Sequence, residues 1–170
     1  MAQLLYLESE NPAIQYLAIR KALSLGLDRE KLVLYLRNNI GFPATQGFIP
    51  KGLPGHNDNH NAIYDPVEAR QLVRDYKEQT GKPPKLRLAT DANYLDICQY
   101  IQREVEKIGI QMQIDLMPTA SLRQAKSSGK LELFRASWIA DYPDAENYLG
   151  LYYSKNFSPG GPNYTHYSNS

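Results

Sequence analysis

The chain has 170 residues, of which 42% are hydrophobic and 22% charged, as in a single globular domain with a proper core. Nineteen basic side chains against eighteen acidic ones give a net charge of +1. That balance argues against nucleic acid as a partner and gives no support for binding to an anionic membrane surface. Charges such as Glu132 and Arg135 interrupt the longest apolar runs, so we expect no membrane-spanning segment.

The chain contains one cysteine, Cys98, so no intrachain disulfide can form and the redox compartment cannot be read from the sequence. No charged start followed by an apolar signal segment is present. The residues Leu4-Leu5-Tyr6-Leu7 instead indicate a strand from the outset. We therefore expect residues 1–170 to be one domain cut from a longer protein.

The first part of the chain is predicted to be helical and then irregular. Asn11-Pro12 is a helix start, and an apolar stripe with helical spacing then continues to Gly26, where the helix should end. Asp28 begins a second helix that extends to about Arg37. Residues 41–61 are rich in proline, glycine and asparagine and show no periodicity, which is typical of a functional or docked loop.

The second part alternates between helix and strand. A helix capped by Asp65 ends near Gly81. Strands are then predicted at 85–89, 110–116 and 131–138, and helices at 94–108, 120–128 and 145–153. This alternation implies parallel pairing through crossover connections. The predicted fold class is α/β, with a small, mostly parallel sheet flanked by helices.

The residues 134–144, Phe-Arg-Ala-Ser-Trp-Ile-Ala-Asp-Tyr-Pro-Asp, end an apolar strand in a turn that carries an arginine, a tryptophan and two carboxylates. The Trp-x-x-Asp-Tyr part resembles a segment found beside the ligand in the periplasmic peptide-binding proteins of bacterial ABC transporters, the oligopeptide- and dipeptide-binding family (extracellular solute-binding protein family 5). Four earlier segments are similar to that family in the same order. They are 19–30, with Arg-Lys-Ala-Leu and Asp-Arg; 41–52, rich in proline; 64–73, with Tyr-Asp-Pro; and 104–110, with Ile-Gly-Ile.

The resemblance implies a periplasmic-binding-protein-like lobe, and only the C-terminal lobe of a two-lobed receptor. It implies a periplasmic or extracytoplasmic location, as a membrane-anchored lipoprotein when full length. It further implies a peptide ligand held between two lobes and delivered to an ABC permease in the membrane. The partners would be the peptide, the missing first lobe and the permease, without cofactor, metal or enzymatic activity.

Five residues are candidates for ligand binding. A peptide offers an ammonium that a carboxylate can bind and a carboxylate that a guanidinium can bind. In the family that this chain resembles, the aspartate of the motif binds the ammonium and an arginine six residues upstream can meet a carboxylate, positions filled here by Asp141 and Arg135. Trp138 can form the wall of a side-chain pocket, and the backbone of Ser137 and Ile139 can pair with the peptide as a strand does.

Each assignment has a plainer alternative. Asp141 can serve only to shape the turn before Tyr142-Pro143, Arg135 can pair with a carboxylate of its own domain, and Trp138 can be core. In a regular strand Arg135 and Trp138 face opposite sides, so both reach one ligand only if the strand end twists or bulges. Asp144 is expected to be the N-cap of the last helix and not a ligand group.

Functions other than peptide binding have weaker support in the sequence. His56 and His60 have a spacing seen in metal sites, but they lack further ligands and a helix, so we predict no metal site. No catalytic constellation stands out, although an enzyme on this scaffold stays open. A protein-interaction domain also stays open, as does a lobe for a non-peptide solute such as a sugar, an opine, a nickel complex or haem.

Overall fold

The computed structural model describes residues 2–6 (backbone only), 10–58 and 63–168. Over these residues the chain forms four β-strands and seven α-helices. In chain order they are β1 (Ala2–Tyr6), α1 (Pro12–Gln15), α2 (Leu17–Leu25), α3 (Arg29–Leu36), α4 (Pro66–Thr80), β2 (Lys85–Thr90), α5 (Leu95–Lys107), β3 (Gln111–Leu116), α6 (Thr119–Ser127), β4 (Leu133–Ser137) and α7 (Ala145–Leu149). Short 3₁₀ turns occupy Ala92–Tyr94, Gly150–Tyr152 and Ser154–Asn156.

The predicted helix starts are confirmed by their capping bonds. The side chain of Asn11 accepts from the amide of Ala13 at 3.0 Å, and that of Asp28 accepts from the amide of Lys31 at 3.0 Å. Asp65 accepts from two amides in the first turn of α4. These bonds satisfy amides that have no partner inside a helix, which is why such residues mark helix starts in the sequence.

The single helix predicted for the first apolar stripe is wrong, because the chain breaks at Tyr16 into α1 and α2. Tyr16 has an extended backbone, and its ring lies edge-on to Tyr76 of α4 with centroids 4.9 Å apart. The guanidinium of Arg20 donates to the carbonyls of Ile14 and Gln15 at 2.9 and 2.7 Å. A tertiary ring contact and a side-chain donor therefore stabilise a break that local periodicity did not reveal.

The strands form a four-stranded sheet in the order β1-β4-β2-β3. Strand β2 is parallel to β3, from Lys85↔Gln111 to Thr90↔Leu116, and parallel to β4. Strand β1 is antiparallel to β4 and lies at the edge. The prediction of a small, mostly parallel sheet flanked by helices is confirmed.

The two faces of the sheet are covered by separate clusters of buried side chains. On one face, Leu86 and Leu88 of β2 pack with the helices α1, α2, α4 and α5. On the other face, Phe134 of β4 packs with Leu122 of α6 and with Tyr152 near the C-terminus. Burial on both faces explains why Leu133 and Phe134, which are consecutive in β4 and face opposite sides, are both apolar.

Two C-terminal elements are shorter than predicted. Strand β4 ends at Ser137, which pairs with Ala2 of β1, and Trp138 lies beyond the last described strand pairing. Helix α7 ends at Leu149, and its continuation is a 3₁₀ turn in which the carbonyl of Gly150 accepts from the side chain of Asn156 at 3.0 Å. The end of β4 coincides with the end of its pairing with β1, which is distant in sequence, whereas the contact after α7 is local.

The proline- and glycine-rich loop is irregular over residues 41–58 and packs against the body of the domain. The ring of Phe48 lies edge-on to Tyr152, with centroids 4.7 Å apart. Within the loop, Nδ1 of His56 lies 2.7 Å from the carbonyl oxygen of Ile49, and Nε2 lies 3.2 Å from the carboxylate of Asp58. The loop is therefore docked on the segment that follows α7.

Candidate functional site

The pairing of β2 with β4 stops before the carboxyl end of β4, and the topology makes this edge of the sheet the candidate place for a ligand crevice. The described ladder between these parallel strands contains two residue pairs and ends at Ala89↔Phe134, although β4 continues to Ser137. The connection after β2 leads into α5 on one face of the sheet. The connection after β4 leads to the segment of Tyr152, which packs on the other face. Neighbouring parallel strands whose connections leave on opposite faces typically create a ligand-binding crevice at this edge.

Arg135 lies in β4 beside this crevice. Its neighbours Phe134 and Ala136 are buried on the opposite face, so the Arg135 side chain is directed toward α5. Its guanidinium carbon lies over the ring of Tyr94, 3.0 Å from the ring centroid. The Nε atom of Arg135 is buried and has no hydrogen-bond acceptor among the described residues.

The charge of Arg135 is not balanced by an ion pair within the described part of the chain. The described carboxylates that form ion pairs bind other cations. Burial lowers the pKa of the Arg135 guanidinium below its ordinary value, and the nearby Tyr94 and Asp91 act in the opposite direction. No ion pair joins Arg135 to a described carboxylate, although the Asp91 carboxylate is near enough to favour the charged guanidinium, so the alternative in which Arg135 pairs within its own domain stays open.

A turn held by Asp91 carries Tyr94 to this position. Asp91 follows β2, is buried, and accepts from the amide of Asn93 at 3.0 Å. Its second carboxylate oxygen lies 3.4 Å from the hydroxyl of Thr119, which donates to it from the start of α6. The amide of Tyr94 donates to the carbonyl of Asp91 at 3.3 Å. The turn is thus fixed from both the β2 and the β3 side of the sheet.

Trp138 is half-buried and is directed toward α7. Its indole Nε1 donates to the side-chain oxygen of Asn147 at 2.6 Å, and Asn147 is buried. Arg135 and Trp138 therefore contact different partners, Tyr94 and Asn147. Whether both contact one ligand stays a prediction.

The remaining predicted site residues are exposed. Ile139 is 88% exposed, and Ser137 and Asp141 are also exposed. No hydrogen bond or ion pair joins the Asp141 carboxylate to another described residue, so the bond expected of a turn-shaping aspartate is not found. Asp144 accepts from the amide of Glu146 at 2.8 Å, which confirms it as the N-cap of α7.

Sequence reasoning missed Tyr94, Asp91 and Asn147. Tyr94 belongs to the apolar stripe of the helix predicted at 94–108, and its ring does pack against the core, but it also contacts Arg135. Asp91 directly follows a buried strand, which is a usable sequence signal for a group at the carboxyl edge. Asn147 lies inside a short helix and gave no signal.

Neither metal binding nor membrane crossing finds support in the part of the chain that the structure describes. No described group of three or more histidine, cysteine, aspartate or glutamate side chains is arranged to hold a metal ion. His60, one of the two histidines with metal-like spacing, lies outside the described residues. Among the described helices, none combines the length and apolar character that a membrane span requires.

Comparison with known families decides the classification. The profile described as "Bacterial extracellular solute-binding proteins, family 5 Middle" matches residues 1–160. The chain belongs to this family. The resemblance found in the sequence motifs is therefore confirmed, and the members of family 5 are binding proteins and not enzymes.

Several curated relatives are much longer than this chain. A putative binding protein of Haemophilus influenzae is 28% identical over 161 residues, covering 90% of this chain and 29% of the relative. The oligopeptide-binding protein OppA of Bacillus subtilis is 27% identical over 163 residues, covering 89% of this chain and 29% of the relative. The chain thus spans less than a third of the length of these two relatives.

Solved structures share the fold of this family 5 segment. OppA of Listeria monocytogenes, solved bound to peptide, matches with a TM-score of 0.82 and 20% identity over 99% of this chain and 35% of that chain. HbpA2 of Haemophilus parasuis matches with a TM-score of 0.86 and 19% identity over all of this chain and 34% of that chain. At such identities the likeness establishes the fold, that of one lobe of the periplasmic peptide-binding proteins.

Proposed function

We propose that this family 5 segment is the second lobe of an extracytoplasmic receptor that binds oligopeptides or dipeptides for an ABC importer. The full receptor holds the peptide in a cleft between this lobe and a first lobe, and delivers it to a permease in the membrane. Membership of an extracellular solute-binding family supports the location. Anchoring as a lipoprotein and the identity of the permease are parts of the same proposal.

The proposal rests mainly on the environment of the Arg135 guanidinium. This guanidinium is partly desolvated at the carboxyl edge of the sheet and lacks a described ion-pair partner. Leaving a desolvated charge without a partner is unfavourable, so a carboxylate from outside the lobe is well suited to complete the site. In the proposed receptor that carboxylate belongs to the peptide.

Asp141 supplies the opposite charge. It lies in the segment that leaves β4 and is exposed, with no described hydrogen bond or ion pair. We infer that Asp141 binds the α-ammonium of the peptide when the cleft closes over it. Closure would remove water from the pair, which strengthens a charge-assisted hydrogen bond.

Three further residues contact the variable or backbone parts of the peptide. Trp138, fixed by Asn147, forms one wall of a side-chain pocket. The backbone at Ser137 and Ile139 continues β4 beyond its pairing with β2, and it offers amide and carbonyl groups to an extended peptide. Because these backbone hydrogen bonds do not depend on the identity of the peptide side chains, the receptor binds peptides of many different sequences.

Calorimetry tests the proposal against other solutes. The protein in its longest natural form, containing residues 1–170, is titrated with a pool of di- to pentapeptides, and separately with sugars, opines, a nickel complex and haem. The proposal predicts binding of peptides that have both termini free. Tight binding of a non-peptide solute, with no heat from any peptide, would contradict it.

A further inference from the structure

Tyr94 lies directly against the one guanidinium that the proposed site uses. The carbon atom of the Arg135 guanidinium is 3.0 Å from the centroid of the Tyr94 ring. A cation over an aromatic face is attracted by the electrons of the ring, and this attraction strengthens when the pair is shielded from water. The contact links the turn after β2 to β4 across the crevice.

The position of Tyr94 is also set by contacts that do not involve Arg135. The buried Asp91 carboxylate holds the turn through Asn93 and Thr119. The side chain of Tyr94 also packs against the core cluster on the α5 face. A ring fixed in this way is a preformed platform, and the flexible arginine adapts to it.

The stack restricts Arg135, and because Nε is buried, a ligand can reach only the terminal N–H groups of the guanidinium. An arginine side chain loses considerable rotamer freedom when it is held in one geometry, so a platform that holds it in advance lowers the cost of binding. Guanidinium N–H groups lie in the plane of the group, whereas the ring occupies one of its faces. A carboxylate can therefore approach the edge while the ring stays in place.

From this geometry we propose that Tyr94 is a positioning residue, which holds the Arg135 guanidinium ready for a ligand carboxylate. The inference rests on the proposed function, in which Arg135 binds the C-terminal carboxylate of a peptide. It adds a residue outside the Trp-x-x-Asp-Tyr segment to the specificity of the site. It also assigns a role to the turn after β2, which would otherwise only connect a strand to a helix.

Five proteins and two peptides test this inference. Wild type, Tyr94→Phe, Tyr94→Met and Arg135→Gln are compared, each in the longest natural form that contains residues 1–170. Each is titrated with one tripeptide that has a free C-terminal carboxylate and with its C-terminal amide. Tyr94→Met keeps an apolar side chain of similar reach against the core but removes the ring. Tyr153→Met is the matched control, because Tyr153 also has a lysine near its ring, 5.9 Å away, but is exposed and outside the crevice.

The inference predicts that Tyr94→Met weakens binding of the free peptide by roughly tenfold. Binding of the amide should change little, and Tyr94→Phe should restore the preference for the free peptide because it restores the ring. Tyr153→Met should behave as wild type. If Tyr94 had a purely structural role, Tyr94→Met would weaken the binding of both peptides equally, and that result would overturn the inference.

Two further outcomes separate this inference from the function on which it rests. If Arg135→Gln loses the preference for the free peptide while Tyr94→Met keeps it, the role of Tyr94 is overturned and that of Arg135 stands. If Arg135→Gln keeps the preference, Arg135 does not bind the carboxylate, and both proposals for this position fail. Should Tyr94→Met not fold, Tyr94→Leu is used with the same pair of peptides.

Discussion

The indole Nε1 of Trp138 donates a hydrogen bond to the side-chain oxygen of Asn147, 2.6 Å away. Asn147 is buried in α7, so this bond ties the segment that leaves β4 to the next helix. Trp138 is the only tryptophan in the chain, and its fluorescence therefore reports on this one position. The relationship gives the proposed site an internal spectroscopic probe.

Removing the acceptor should loosen Trp138. Asn147→Leu leaves the indole N–H without its partner, and we expect a loss of about 1–2 kcal/mol in the free energy of unfolding. Fluorescence emission should move to longer wavelength, because the indole gains contact with water. Urea unfolding followed by fluorescence measures both effects.

Tyr142→Phe is the control for that variant. It removes a hydrogen bond of 2.9 Å from an exposed hydroxyl to Glu146, so the free energy of unfolding should change by less than about 0.5 kcal/mol. If Asn147→Leu and Tyr142→Phe lower the free energy of unfolding by the same amount, the Trp138–Asn147 hydrogen bond contributes no more to stability than an exposed one.

Replacing Asp141 and replacing Asp144 should have different effects on the free energy of unfolding. Asp144→Ala removes the N-cap of α7 and is expected to cost about 1 kcal/mol. Asp141→Ala should leave the free energy of unfolding unchanged, since its exposed carboxylate has no described partner. Chemical unfolding at pH 7 makes the comparison, and a loss at Asp141 as large as that at Asp144 would return Asp141 to a turn-shaping role.

Asp28 should make stability depend on pH. Burial alone would raise the pKa of Asp28, but the hydrogen bond from the Lys31 amide and the ion pair with the Lys31 ammonium at 3.1 Å lower it below the ordinary value of 3.8. A carboxyl group whose pKa is lower in the folded state stabilises the fold when ionised. That contribution is complete above pH 3.8 and is lost as the pH falls through the lowered folded-state value.

The variant Asp28→Asn isolates this effect, because asparagine is also a good N-cap but carries no charge. The wild type should be more stable than Asp28→Asn at pH 6, and the difference should shrink by pH 3. Lys31→Met should reproduce part of the loss at pH 6 by removing the cation. A difference between wild type and Asp28→Asn that stays constant from pH 6 to pH 3 would disprove this account.

The 170-residue chain alone should bind peptide weakly or not at all. A receptor that closes on its ligand buries the ligand between two surfaces, and this chain provides one of them. Calorimetry and the fluorescence of Trp138 during titration with di- to pentapeptides measure the affinity. Micromolar or tighter binding to residues 1–170 would contradict the two-lobe account.

The sequence was most informative where local chemistry decides the structure. The caps at Asn11, Asp28 and Asp65 were predicted and are confirmed, because a cap depends on side chains within three residues of a helix start. The break at Tyr16 was missed because it depends on Tyr76, sixty residues away.

In the candidate site, too, local sequence predicts some residues, whereas others depend on contacts between distant parts of the chain. Arg135, Trp138 and Asp141 are predicted from a motif that is contiguous in the sequence. Tyr94 lies forty-one positions before Arg135, and only the pairing of β2 with β4 brings them together. Contacts of that kind are set by sheet topology and not by local pattern.

The charge on the peptide terminus tests the central claim most directly. In the longest natural form of the protein, wild type and Asp141→Ala are titrated with one peptide and with its N-acetylated form. If Asp141 binds the α-ammonium, wild type should strongly prefer the free peptide, and Asp141→Ala should lose on the order of 2–5 kcal/mol of binding together with that preference. Equal affinity of wild type for the free and the acetylated peptide would contradict the account.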